Sequence, residues 1–160
     1  WDRRKMIWLD QIEALFLNVD TWLKPYENDE DGEQLLEYSI DTREIHEEML
    51  GTYPVPVMKI RVGSDEVTLI PKAHIILGGL GRIDMIGPLG RVMMVLNDTD
   101  QPPTITFHDA QPGEDSALPS PSIEKQMEHS SWYFVPPNQR RVMLLVTEKS
   151  FTDMLKDMVR

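Results

Sequence analysis

Carboxylates are abundant in the chain, 27 against four histidines, and for that reason no pair stands out as an acid/base couple. Glu44, His46 and Glu47 sit in "EIHEE", and "HEE" opens like a zinc-protease helix. Leu50 stands where that motif requires its second histidine, so the two-histidine ligand face is missing. Folding could still gather Glu44, His46, Glu47 and Asp84, with His74 as a further candidate, into a metal-dependent hydrolase site. There, imidazole and carboxylate would hold the ion and a carboxylate would activate water. The spacing carries no ligand signature, so no metal site and no cofactor are predicted. His108 and His129 are isolated, and no serine lies in a Gly-x-Ser-x-Gly elbow.

A second stretch invites a chemical reading. "GGLGRIDMIGPLGR" (Gly78 to Arg91) holds five glycines, two arginines and an aspartate. A phosphate-cradling P-loop needs lysine followed by serine or threonine directly after its last glycine, and none occurs here. A dinucleotide fingerprint fails as well, because Asp84 occupies the third glycine position and a strand-like run follows. Hairpin punctuation explains the glycines better. "GPLG" suits a turn with Pro88 at its second position, which pairs Ile86 with Arg91, Met85 with Val92 and Ile83 with Met94. That register makes one apolar face from Ile83, Met85, Val92, Met94 and Leu96. The other face mixes Arg82, Asp84 and Arg91 with Ile86, Met93 and Val95, as a self-satisfied ion pair or a partly covered interface would.

Composition narrows the classes further. The chain has 160 residues, no cysteine and a formal charge of −11. Its length suits one domain with an ordinary core, spanning 1–160. Disulfides, thiolate metal sites and a thiol nucleophile are excluded, and a reducing compartment, the cytoplasm, is the expected location. No apolar run is long enough to span a membrane. Position 1 is Trp rather than Met, so the native N-terminus reads as missing. From Glu27 to Glu48 ten acidic residues accompany one arginine. Such a surface repels phosphate backbones and makes direct nucleic-acid binding unlikely. It reads as a solvated face or loop, or as a docking surface for a basic partner.

The elements that must position these groups follow from periodicity. Trp8, Ile12, Leu15, Val19 and Trp22 recur at helical spacing from Asp2 to Leu23, where Lys24-Pro25 ends the run. "NDEDG" reads as a turn and "QLLEYSI" as a strand, while Asp41 to Leu50 has a helix-like composition confined to about two turns by Gly51 and Pro54. "VMKIRV" and "EVTLI" alternate as a hairpin with Ser64-Asp65 at its tip, pairing Val62 with Val67 and Ile60 with Leu69. "HIIL", "TITF" and "SWYFV" add strands, and "RRVMLLV" reads as a buried one. The segment 97–131 is proline-rich and acidic, which predicts a mobile insertion. Thr147 caps a final helix with Phe151, Met154, Leu155 and Met158 on its apolar stripe.

The expected fold is α+β: an N-terminal amphipathic helix, an antiparallel sheet of six to eight strands curled toward a barrel or sandwich, and a C-terminal helix. The expected function is a non-catalytic interaction or accessory module that docks a protein partner or a second copy. Its contact surfaces are placed around Trp1, Trp8 and Trp22 and on the strand face with Arg82, Asp84 and Arg91. The alternatives are the metal-dependent hydrolase and a sheet enclosing a small apolar ligand.

Overall fold

The computed structural model describes residues 1–27, 36–76, 79–99, 123–137 and 142–160. Helix α1 (Asp2–Leu23) is followed by strands β1 (Leu36–Glu47), β2 (Gly51–Val62), β3 (Asp65–Ala73), β4 (Gly81–Gly87) and β5 (Gly90–Asp98). Helix α2 (Ile123–Glu128), strands β6 (Ser130–Val135) and β7 (Leu144–Leu145), and helix α3 (Glu148–Met158) complete the described chain. The seven strands form one antiparallel sheet in sequence order, β1 through β7. The fold is therefore α+β, and the sheet stays open instead of closing as a barrel or stacking as a sandwich.

Helix α1 forms where its apolar spacing predicts and buries Trp8, Ile12, Leu15, Phe16, Val19 and Leu23. A single 3₁₀ turn, Lys24–Tyr26, carries the chain past Pro25. Helix α3 starts at a capping box in which Thr147 and Ser150 satisfy each other's backbone N–H groups, and it buries Phe151, Leu155 and Met158. Phe151 lies 5.8 Å from Trp22 of α1 and 6.5 Å from Phe134 of β6, which places both terminal helices on the same face of the sheet. The hairpin β4–β5 has the register that "GPLG" dictates, with Gly87 opposite Gly90 and Ile83 opposite Met94. Its tip is tied to α3 by the Leu89 N–H, which donates to the Met158 carbonyl at 3.1 Å.

Several local expectations change. Asp41 to Glu47 is strand, not helix, because a twelve-residue antiparallel ladder with β2, the next strand of the hairpin, supplies its hydrogen bonds. The β2–β3 hairpin turns one residue earlier than the alternation suggests, pairing Val62 with Asp65 and Ile60 with Val67. Gly63 has φ +64°, and this left-handed backbone at the first central position is what a two-residue primed turn demands. His74 to Ile76 of "HIIL" do not form a sheet strand: β3 ends at Ala73, and Ile76 makes only an isolated bridge with Gly79. Within 97–131 both ends are built into the fold. Strand β5 runs through Asp98, Met127 of α2 is fully buried, and Gln11 donates to the Met127 carbonyl at 2.9 Å. The "NDEDG" turn, "TITF", His108 and the middle of the proposed insertion lie outside the described residues.

The described part of "RRVMLLV", Val142 to Val146, is exposed or only partly buried. Only Leu144 and Leu145 pair with β6, at the open end of the sheet, and both are exposed. An apolar run reads as an interior strand by composition alone, and composition does not say whether a strand has neighbours on both sides.

Candidate functional site

The polar groups that the fold gathers lie beneath the first two turns of α1. Trp8 is fully buried and its indole N–H donates to the Tyr53 hydroxyl at 3.1 Å. Tyr53 in turn donates to Oε2 of Glu47, and the Ile75 N–H donates to Oε1 of the same carboxylate at 2.9 Å. A buried carboxylate is tolerated here because both of its oxygens accept hydrogen bonds. Burial, then the hydrogen bond to Glu47, raises the Tyr53 phenol well above its ordinary range, so it remains a donor. Next to this chain sits His74, also buried, with its ring centroid 6.0 Å from that of Trp8. Its Nδ1 is 2.6 Å from the Leu80 carbonyl, which can only accept, so the proton is on Nδ1. Nε2 then accepts from Arg4 Nε–H at 3.2 Å.

Trp8 also answers the question raised by the glycine-rich stretch. Its ring lies directly on Gly81, where an added Cβ would come 2.2 Å from Cζ3. Gly81 is there because an aromatic ring occupies the space of its missing side chain. The stretch is a packing device and a hairpin.

The residues that could form a metal-dependent site are separated. Strand alternation sends Glu44 and His46 to one side of β1 and Ile45 and Glu47 to the other. His46 meets Thr52 Oγ1 at 2.9 Å near the surface, and Glu44 is exposed. Asp84 is on β4, 1% exposed, with Arg82 forking onto it at 2.7 Å (Nε to Oδ1) and 3.1 Å (Nη2 to Oδ2). Arg91 Nη1 stands 3.9 Å from Oδ2. Only Glu47 and His74 come into one neighbourhood, and among the described residues no three His, Asp or Glu are placed to hold a metal ion.

The expected contact surfaces are redistributed too. Trp8 cannot line one, since its ring is fully buried against the sheet. Trp22 is half-buried against Phe151, while Trp1 stays exposed with the Arg4 guanidinium 4.3 Å above its ring. Arg82 is partly exposed and Arg91 exposed beside the buried Asp84. Within the described part of the acidic stretch, Glu37 pairs with Arg61 at 3.3 Å and Asp41 with Lys59 at 3.4 Å across β1 and β2. These pairs border a polar surface depression of about 370 Å³. A second depression, about 150 Å³ and apolar, is lined by Leu23, Leu36, Val62, Leu155 and Val159, with Lys156 at its rim.

Sequence reading did not single out Arg4, Tyr53, Ile75 or Leu80. Tyr53 carried the one available signal, a phenol in an alternating apolar run whose hydroxyl needs a partner once buried. The others act through a backbone group or a distant side chain, and neither leaves a motif.

Compared with known protein families, curated proteins and solved structures, the chain matches none. No helix among the described residues is long and apolar enough to cross a membrane.

Proposed function

We propose that the chain is a non-catalytic protein-interaction module whose partner docks at the β7 end of the sheet. One observation carries this reading. Val142, Leu144 and Leu145 lie in a continuous apolar run at a sheet edge that no other described strand pairs with, and they are 53%, 46% and 46% exposed. Apolar side chains clustered at an unpaired edge favour cover by another chain, through burial and through strand or side-chain docking. The opposite edge is guarded: β1 presents Glu37, Asp41, Arg43 and Glu44 along its length. Ser150 donates to the outward carbonyl of Leu145 at 2.8 Å, so the apolar side chains, more than a long backbone ladder, would hold the partner. Glu47 and His74 support the non-catalytic side of the proposal, because their hydrogen bonds already tie α1 to the sheet.

The test compares the wild-type chain with the double variant Leu144→Asp/Leu145→Lys. Analytical ultracentrifugation reports self-association, and affinity capture from the native host's lysate reports a separate partner. The wild type should retain one stoichiometric protein, itself or another, and the variant should lose it. Thermal stability should change by about 1 kcal/mol or less, as for surface substitutions. A wild type that stays monomeric and captures nothing, or a variant that captures the same protein, removes the β7 end as the docking site.

The apolar depression beside Leu36 and Leu155 favours a second reading, a small apolar ligand. A space of about 150 Å³ accepts a group of benzene size. Native mass spectrometry of the purified chain should then show a small added mass that disappears in Leu155→Lys. An unchanged mass in both proteins leaves the docking reading alone.

A further inference from the structure

We infer that His74 is a proton-operated latch joining the first turn of α1 to the segment that enters β4. The geometry is a chain of contacts that crosses the molecule. Trp1 carries the Arg4 guanidinium on its ring, Arg4 Nε–H donates to His74 Nε2, and His74 Nδ1–H donates to the Leu80 carbonyl. Leu80 N–H in turn donates to the Leu96 carbonyl at 2.8 Å, so the chain ends on β5. A neutral imidazole has one donor and one acceptor, and both are engaged here.

Protonation removes the acceptor. Nε2 then carries a hydrogen that faces the Arg4 N–H, and a second positive charge stands beside the guanidinium. Arginine cannot shed its proton, so one of the two groups must leave. Nδ1–H keeps its carbonyl and holds the ring in place. Arg4 lies nearer the surface and is the group that swings out, taking with it the tie on the first helical turn.

The other groups facing His74 do not cancel this conflict. From β1, the Glu47 carboxylate favours the imidazolium, but its oxygens are already held by Tyr53 of β2 and by the Ile75 N–H. Lys5, on the same turn as Arg4, points to the Leu50 carbonyl at 3.5 Å and over the Tyr53 ring. Trp8 presents only its ring to His74. Burial is the largest influence and lowers the His74 pKa, with the Arg4 charge acting in the same direction; the Leu80 carbonyl and Glu47 oppose them without prevailing.

With the folded pKa below the unfolded value, the unfolded chain takes up the proton first as pH falls. The stabilisation from neutral His74 is therefore full above about pH 6.5 and is lost as the pH drops through the folded pKa. Helix termini open at lower cost than the whole fold, so the first effect is local release of Arg4 and its turn. This latch stands independently of the docking reading.

Hydrogen exchange of the full chain tests it, compared at about pH 7.5 and about pH 5 after correction for intrinsic rates. Protection should fall severalfold across residues 5–8, whose amides are the first to be hydrogen-bonded in α1, on acidification, while the β4–β5 hairpin keeps its protection. In Arg4→Met that first turn should be loose at both pH values, with no step between them. The ¹⁵N resonances of His74 in that variant should titrate at higher pH, since the neighbouring charge is gone. Equal protection of residues 5–8 at both pH values in the wild type would overturn the latch. So would a full step that persists in Arg4→Met.

Discussion

Trp8→Ala should destabilise the chain by about 3–5 kcal/mol, the cost of deleting a fully buried aromatic side chain. The indole packs 5.9 Å from Trp132 and 6.0 Å from His74, covers Gly81, and supplies the hydrogen bond that Tyr53 accepts. For a chain of this size the melting temperature should drop by roughly 6–20 °C. Gly81→Ala attacks the same contact from the opposite side. Its methyl group would sit inside the indole ring's van der Waals envelope, and neither β4 nor the buried ring has room to retreat. Overpacking of this kind costs about 1–3 kcal/mol. The two substitutions should not add: with Trp8 already replaced by alanine, Gly81→Ala should cost little, and the double-mutant cycle should show strong coupling. A melting temperature that hardly moves in Trp8→Ala, together with lost self-association, would mean that α1 packs on another subunit.

Arg82→Ala should be nearly as damaging, at about 3–5 kcal/mol. Asp84 is almost completely buried, and its carboxylate is compensated mainly by the two-pronged Arg82 contact. Arg91 remains at 3.9 Å, but its side chain is 64% exposed and holds only a long ion pair. Removing Arg82 leaves a buried carboxylate with too little positive charge beside it, which is the costly half of breaking such a pair. Removing both partners should be much milder. Arg82→Met/Asp84→Leu should recover most of the lost stability, because an apolar pair of similar size requires no desolvated charge. Chemical denaturation of the wild type, the single variant and the double variant measures this directly. Equal losses in the single and double variants would show that the ion pair is not what Arg82 contributes.

This pair also changes how the outer strand face is read. Arg82, Asp84 and Arg91 were candidates for a contact surface, and the mixed composition of that face pointed to an interface. In the fold Asp84 is buried and hydrogen-bonded to Arg82, so charge reversal at Arg82 or Asp84 would test folding before it tested binding. Leu144 and Leu145 are better probes, since their side chains already face solvent.

The sequence by itself determined the parts of this protein whose signals are local. The length of α1 follows from apolar residues at spacings of three and four, and its end follows from Pro25. The start of α3 follows from the reciprocal cap of Thr147 and Ser150, and the register of β4–β5 follows from "GPLG". Each of these depends on residues within one or two turns of one another, so period and turn chemistry suffice. Tertiary structure decided the rest. Asp41 to Glu47 became strand because the partner strand β2 offers twelve paired positions, which outweighs a weak helical composition. That choice separated Glu44 and His46 from Glu47, since neighbours in a strand face opposite ways. The burial of Glu47 and His74 beneath Trp8, the ring resting on Gly81, and the exposure of Leu144 and Leu145 all depend on which distant element packs where. Periodicity shows that a face is apolar; only the packed fold shows whether anything covers it.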